Sequence, residues 1–264
     1  MKAGRNNRGG DSSNPKRERG KMGNIRQLIG NLWEKAVNLL YPRRCPVCDD
    51  IVYPGGEKIC PECLKKLKLL TPPWCMKCGK KLAEEEEFCA DCSRIKHRFD
   101  RGRALYEYQS AAASVYRLKY SGRREYAEFF GEEMARYLGG FLEQIKPDAL
   151  VPIPLHTKRL RKRGYNQAAL LARQLGRCTG IPVQEKLLVR VKNTKPLKLQ
   201  NPAERQNNLK KAFNIGRNDV KLKTILLVDD IYTTGATMDA AAAVLRQNGV
   251  EHIYCITLSC GAGV

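Results

Sequence analysis

The sequence predicts an α/β protein, a doubly wound and mostly parallel sheet preceded by a small cysteine-rich module. Three observations carry that expectation. Strand-like and helix-like apolar patterns alternate from about residue 99 onward, as βαβ units require. One stretch, Ile225 to Met238 (ILLVDDIYTTGATM), reads as a buried strand, two acids, a glycine-containing loop and a helix start. Eight of the 11 cysteines fall into four C-x-x-C pairs.

The chain of 264 residues carries a formal net charge of +21, which favours polyanionic partners. Residues 1–24 are Gly, Asn, Ser and charge without apolar periodicity, and are expected to form a disordered basic tail. Basic residues without a following apolar stretch do not make a secretory signal. Residues 25–42 place Ile25, Leu28, Ile29, Leu32, Trp33, Ala36, Val37 and Leu40 at helical spacing. This amphipathic helix is too short to span a membrane, and packing against the rest of the protein is its expected use, with a membrane surface as the alternative.

Residues 43–98 hold the pairs Cys45/Cys48, Cys60/Cys63, Cys75/Cys78 and Cys89/Cys92. Each pair can close a knuckle that offers two thiolates to one metal, and two pairs complete a tetrahedral Cys₄ zinc site. Without an export signal, a reducing compartment disfavours disulfides. CPVC…ICPEC and CMKC…FCADC look like two copies of one unit. That favours sequential pairing, with Cys45, Cys48, Cys60 and Cys63 on one zinc and Cys75, Cys78, Cys89 and Cys92 on the other. A cross-braced pairing uses near-equal spacings and stays open at this point. Cys₄ sites keep no open position, so both zincs are expected to be structural.

Residues 99–264 form the expected sheet domain. Arg103–Tyr108 alternates like a strand, Ala111–Lys119 reads as a short helix, and Arg123 to about Ile145 as a longer amphipathic one. Ala149–Pro154 is a strand entering a proline-stiffened loop, and Asn166–Thr179 is helical. Ile181–Val183 restarts the sheet, Met238–Gln247 is an alanine-rich helix, and Ile253–Leu258 is a late strand.

The acids Asp229 and Asp230 stand where the apolar strand Ile225–Val228 should end. Open α/β sheets bind ligands at the carboxyl ends of their strands. A loop entering a helix N-terminus presents unpaired N–H groups and the positive dipole end to a phosphate. Gly235 permits close backbone approach, and Thr233, Thr234 and Thr237 add hydroxyl donors. Two carboxylates beside a phosphate should face hydroxyl donors instead, and a ribose 5′-phosphate meets both demands. No G-x-x-x-x-G-K-[ST] motif occurs, which argues against a nucleotide hydrolase.

This segment resembles the 5-phosphoribosyl-1-pyrophosphate (PRPP) signature of type I phosphoribosyltransferases. The resemblance implies that Asp229 and Asp230 hold the ribose 2′ and 3′ hydroxyls. It also implies that Thr233, Thr234, Gly235, Ala236 and Thr237 wrap the 5′-phosphate, with Mg²⁺ accompanying PRPP.

Positive charge concentrates in the same domain, where residues 151–224 contain 18 Lys/Arg against 3 Asp/Glu. The densest run is Lys158–Arg163, followed by Gly164-Tyr165-Asn166-Gln167. A basic rim suits PRPP, and a nucleic-acid groove with Tyr165 available for stacking suits it equally.

Taken together, the chain is similar to the ComF family of competence-associated, phosphoribosyltransferase-like proteins. The shared features are the paired C-x-x-C ribbons, Leu118-Lys119-Tyr120-x-Gly122, Val151-Pro152-Ile153-Pro154-Leu155, the Arg159–Gln167 stretch and the DD-x-x-TTG-A-T loop. The resemblance implies a type I phosphoribosyltransferase-like sheet behind a double zinc ribbon, and a cytoplasmic protein that handles imported single-stranded DNA in transformation. Competence helicase or recombination-loading proteins are the implied partners, and related transferases often pair as homodimers. Asn193–Gln200 departs from the family spacing and is expected to be a mobile lid.

Two functional readings follow. In the first, the chain is a phosphoribosyltransferase, with Lys119 and Arg163 as candidates for pyrophosphate or lid contact and no readable acceptor base. In the second, it is a non-catalytic module that binds single-stranded DNA or protein and keeps only the ligand pocket. His97, His156, His252, Cys178, Cys255 and Cys260 show no cluster or metal-ligand spacing.

Overall fold

The computed structural model describes Met1 and residues 41–53, 56–83, 86–191, 212–216 and 222–261. Cys45–Val264 form one compact unit and Met1–Arg44 another. The basic tail, most of the amphipathic helix and the segment Asn193–Gln200 lie outside the described residues.

In chain order the larger unit holds α1 (Pro61–Leu64) and α2 (Ala90–Arg94), then β1 (Arg101–Glu107), α3 (Tyr108–Tyr120) and α4 (Tyr126–Ile145). Next come β2 (Ala149–Pro152), α5 (Thr157–Arg163), α6 (Gln167–Thr179), β3 (Leu188–Arg190) and β4 (Phe213–Ile215). The last elements are β5 (Thr224–Tyr232), α7 (Ala236–Gln247) and β6 (His252–Cys260). The central sheet has the order β1-β6-β5-β2, and every pair in it is parallel. β3 and β4 make a separate antiparallel pair.

Alternate residues of β5 serve opposite faces of the sheet. Leu226 and Val228 join Leu150, Leu171, Leu175 and Phe130 in a core beneath α3, α4 and α6. Ile225 and Leu227 join Met238, Ala241, Leu245 and Phe213 in a second core beneath α7 and the β3–β4 pair. Helix-forming segments on both faces are what an apolar parallel sheet demands, since each face must be buried. α4 meets α6 closely at Gly131, where an added Cβ would lie 2.5 Å from the Gln174 Cβ. Pro147 disfavours helical backbone at the residue before it. α4 accordingly ends at Lys146, in the left-handed region (φ 42°).

The cysteine module is built as a repeat. In the first knuckle Asp49 N–H donates to the Cys45 carbonyl (2.9 Å) and Cys45 N–H to Asp50 (2.8 Å). In the second, Gly79 N–H donates to Cys75 (2.9 Å) and Cys75 N–H to Lys80 (2.7 Å). The connection between the two ribbons covers the β1 edge: Leu70 N–H donates to Leu105 (2.9 Å) and Glu107 N–H to Lys68 (2.9 Å). Such cover blunts an otherwise open strand edge.

Several sequence expectations shift. β5 does not end at the acids but continues through them to Tyr232, because Asp229 and Ile231 pair with Thr257 and Ser259 of β6. β1 does not alternate simply, since Ala104, Leu105 and Tyr106 are all buried between material on both faces. The helix expected from Ala111 starts at Tyr108, and the one expected from Arg123 starts at Tyr126. Ile181–Val183 contributes one parallel bridge, Leu150 to Val183, beyond β2. The basic run is itself a helix, α5, ended by Gly164 in the left-handed conformation.

Candidate functional site

β5 leads through α7 to β6 on one side, while β2 leads through α6 to the Val183 bridge on the other. The strands β5 and β2 are neighbours, so the chain departs in opposite directions from their carboxyl ends. That divergence is where open α/β sheets leave a crevice for ligands. Asp229, Asp230 and the loop Thr233–Gly235 stand at this crevice.

The acid pair is uneven. The Asp230 N–H donates to Asp229 Oδ1 (2.8 Å). Lys119, from the last turn of α3, places Nζ 2.6 Å from Asp230 Oδ1, with the two side chains 18% and 4% exposed. The second oxygen, Asp230 Oδ2, is buried without a hydrogen-bond partner among the described residues. Removal from water and the charge of Asp230 push the Asp229 carboxyl up to about 7, against the pull of Lys119. A buried acceptor without a donor is costly and fits a site that receives a hydroxyl from a ligand.

Sequence motifs fix Lys119 in place. Tyr165 donates its hydroxyl to the Leu118 carbonyl (2.7 Å), one residue before Lys119. Asn166 donates to Ile153 (3.0 Å) and accepts from Ala168 N–H (3.1 Å), which caps α6 and ties it to the end of β2. The expected stacking role of Tyr165 is overturned by this arrangement, because its ring is 7% exposed and lies under the Arg124 guanidinium. Among the described residues, Arg163 contacts neighbours in α6 and α3. It bonds Gln167 and lies 5.0 Å from the Tyr120 ring centroid.

The loop enters α7 with Gly235 as N-cap at φ 78°, so Ala236 and Thr237 begin the helix and its first amides face the crevice. An added Cβ on Gly235 would stand 2.5 Å from Tyr232 Oη and 2.8 Å from His97 Cε1. Only glycine suits that position.

Two residues not singled out from sequence join this neighbourhood. Arg190, on β3, sits 5.3 Å from the Phe213 ring centroid. Burial and repulsion from Arg159 lower its pKa, and the Asp229 charge opposes both. His97 Nδ1 is 2.7 Å from Asp239 Oδ2 on α7. No sequence signal marks either residue, since the contacts join positions far apart along the chain. His156 caps α5 by accepting from the Lys158 N–H (3.2 Å).

The eight paired cysteines gather sequentially. Cys45, Cys48, Cys60 and Cys63 form one group, and Cys75, Cys78, Cys89 and Cys92 the other, each with all sulfurs within 4.8 Å of one another. None of them forms a disulfide. Cys48 and Cys60 sulfurs are 4.0 Å apart, and Cys78 and Cys89 sulfurs 3.6 Å. A tetrahedron with Zn–S bonds of ~2.3 Å has S···S edges of ~3.8 Å, so both donor sets fit zinc. Burial opposes ionisation of Cys45, yet backbone hydrogen bonds centred on Cys48 and Cys60 bring it down to about 7.

No helix among the described residues is long and apolar enough to cross a membrane. Residues 36–93 match the double zinc ribbon domain model, and residues 130–261 match the phosphoribosyl transferase domain model. Fold and site thus define a phosphoribosyl transferase domain joined to a double zinc ribbon. The chain is 30% identical to competence protein F of Haemophilus influenzae over 220 residues, covering 80% of this chain and 93% of that one. It is 32% identical to competence protein ComFC of Bacillus subtilis, covering 73% and 80%. It is 26% identical to the DNA utilization protein YhgH of Escherichia coli K12, covering 83% and 98%. The chain belongs to the ComF family of competence proteins.

Proposed function

We propose that this chain binds PRPP with Mg²⁺ at the β5–β2 crevice and acts in DNA uptake during natural transformation. The observation that carries the ligand reading is the buried Asp230 Oδ2, without a hydrogen-bond partner among the described residues, close in the chain to a glycine-capped helix N-terminus. Asp229 and Asp230 accept the ribose hydroxyls, and Thr233–Thr237 cradle the 5′-phosphate with backbone amides and hydroxyls. Lys119 offsets the charge of Asp230 in the unliganded site. The competence role rests on the names of the relatives above, and single-stranded DNA and competence proteins are the partners it suggests.

In phosphoribosyl transfer the bond from ribose C1 to the pyrophosphate oxygen breaks as a nitrogen nucleophile bonds to C1 and yields its proton to solvent. Mg²⁺ would supply charge neutralisation on the pyrophosphate. Arg190, a cationic group in the electrostatic field of Asp229, is suited to stabilise the departing anion, with the charge of Arg159 close by. Calorimetric titration of PRPP with Mg²⁺ into wild type and the Asp229→Asn/Asp230→Asn variant tests the binding. Micromolar affinity that the variant loses supports the pocket. No heat from a folded, zinc-replete wild type refutes it. Release of pyrophosphate on adding purine or pyrimidine bases distinguishes an enzyme from a ligand-binding module.

One observation favours the second reading, direct contact with single-stranded DNA. Tyr116 and Tyr120 on α3 are 61% and 65% exposed, with ring centroids 5.1 Å apart. Arg163 covers Tyr120, and the basic helix α5 leads up to it. Aromatic faces beside cations suit unstacked bases in a salt-dependent way. Oligonucleotide binding that weakens with salt and with Tyr116→Ala/Tyr120→Ala, and that ignores PRPP, would support it.

A further inference from the structure

We propose that the second cysteine ribbon braces the loop Thr233–Thr237, with His97 as the positioning residue that joins them. The effect on affinity rests on the phosphoribosyl reading above, whereas the mechanical link does not.

Among the described residues, no side chain caps α7 at Gly235, so the direction of its first amides depends on contacts from elsewhere. The brace comes from 142 residues away in sequence. His97 Nδ1 lies 2.7 Å from Asp239 Oδ2, and the Arg98 N–H donates to Asp239 Oδ1 at 2.7 Å. Both oxygens of Asp239 are thereby held by one strap, while the Asp239 N–H donates to the Gly235 carbonyl (2.8 Å). The His97 side chain is 0% exposed and reaches the space beside Gly235 where a Cβ would go.

The strap also grips the other end of the loop. His97 stacks on Phe99 at 4.9 Å, and Phe99 meets Tyr232 edge-on at 6.2 Å, directly before the loop begins. At the far end of α7, Arg246 donates to the Arg98 carbonyl (3.0 Å) and to Asp100 (2.7 Å).

The second ribbon anchors the strap on both sides. Cys92 precedes it in the chain. The Cys75–Cys78 knuckle then docks beyond it, where Lys77 accepts from the Gly102 N–H at 2.7 Å and sets its Nζ 5.5 Å from the Phe99 ring. Cys75, Cys78 and Cys89 share one apolar core with Phe99, Tyr232 and Met238. The first ribbon lies elsewhere. Its contacts run to α3 and α4, through Arg117 to Val47 (2.6 Å) and Lys58 to Glu128 (3.0 Å). The two zinc sites therefore differ in what they steady, and among the described residues it is the second that touches the loop's supports.

The test compares full-length wild type, His97→Phe, His97→Asn and Asp239→Asn by hydrogen exchange over residues 233–239 and by PRPP·Mg²⁺ calorimetry. His97→Phe keeps the stack on Phe99 and loses the hydrogen bond. It should raise exchange in the loop and weaken binding about tenfold or more, as loss of a charge-assisted hydrogen bond implies. Zinc content should stay at the wild-type value. His97→Asn, whose amide can replace Nδ1, should restore part of both signals. Asp239→Asn removes the carboxylate charge from the same link and should shift both signals in the direction of His97→Phe. Wild-type exchange in both His97→Phe and Asp239→Asn overturns the bracing, even where wild type binds PRPP. If wild type binds no PRPP, the ligand reading falls, and raised loop exchange in either variant still upholds the bracing.

Discussion

Asp229 carries the most pH-sensitive chemistry of the site. Its folded pKa is raised from 3.8 to about 7, chiefly by removal from water and then by the Asp230 charge. A raised carboxylate pKa favours the folded state below the unfolded value, and that contribution disappears as pH climbs through the folded value. Unliganded wild type should therefore lose stability relative to Asp229→Asn between about pH 4 and 7, by about a few kcal/mol, with no further change above. Thermal melts from pH 5.5 to 8, where thiolate ligands can keep zinc, read the upper half of that window. A gap that is flat or narrows with pH would show that the acid pair is not desolvated. PRPP·Mg²⁺ affinity should run the other way and rise with pH, because ribose hydroxyls donate best to ionised carboxylates.

Among the secondary-structure elements, the crossing of α4 and α6 separates stability from ligand binding. An added Cβ at Gly131 would lie 2.5 Å from Gln174 Cβ and 3.3 Å from Leu175 N, so the helices must move apart. Overpacking of this kind costs about 1–3 kcal/mol. Gly131→Ala should lower the melting temperature and leave PRPP affinity unchanged, since neither helix carries an acid of the site. Equal loss of affinity would mean that the helix pair and the crevice act as one cooperative element.

The arrangement of the zinc sites belongs to the whole molecule. Sequential pairing puts Cys48 and Cys60 on one zinc. Cys48→Ser/Cys60→Ser should reduce zinc from two per chain to one by metal analysis. Loss of both would require a cross-braced arrangement. Much of this architecture is legible in the sequence, for definite reasons. Knuckle spacing is local, so C-x-x-C pairs declare themselves, and the run Ile225–Val228 with the TTGAT loop states strand, turn and helix within fourteen residues. Long-range contacts leave no such mark. Tyr165 looks like a stacking residue beside a basic run, yet folding turns it inward to bond Leu118. His97 has no motif, and its role exists only because the second ribbon packs against α7. Lys119 was visible as part of a family pattern, but its 2.6 Å pairing with Asp230 required the packing of α3 on the sheet.

The decisive measurement is ³¹P NMR of PRPP with Mg²⁺, titrated with wild type and with Gly235→Ala. The Gly235 φ of 78° and the crowding of its missing Cβ leave the variant no room to keep the loop geometry. A phosphate cradle at Thr233–Thr237 predicts that wild type shifts or broadens the 5′-phosphate resonance at micromolar protein, and that Gly235→Ala abolishes this effect. An unperturbed 5′-phosphate resonance in folded, zinc-replete wild type would contradict the phosphoribosyl site.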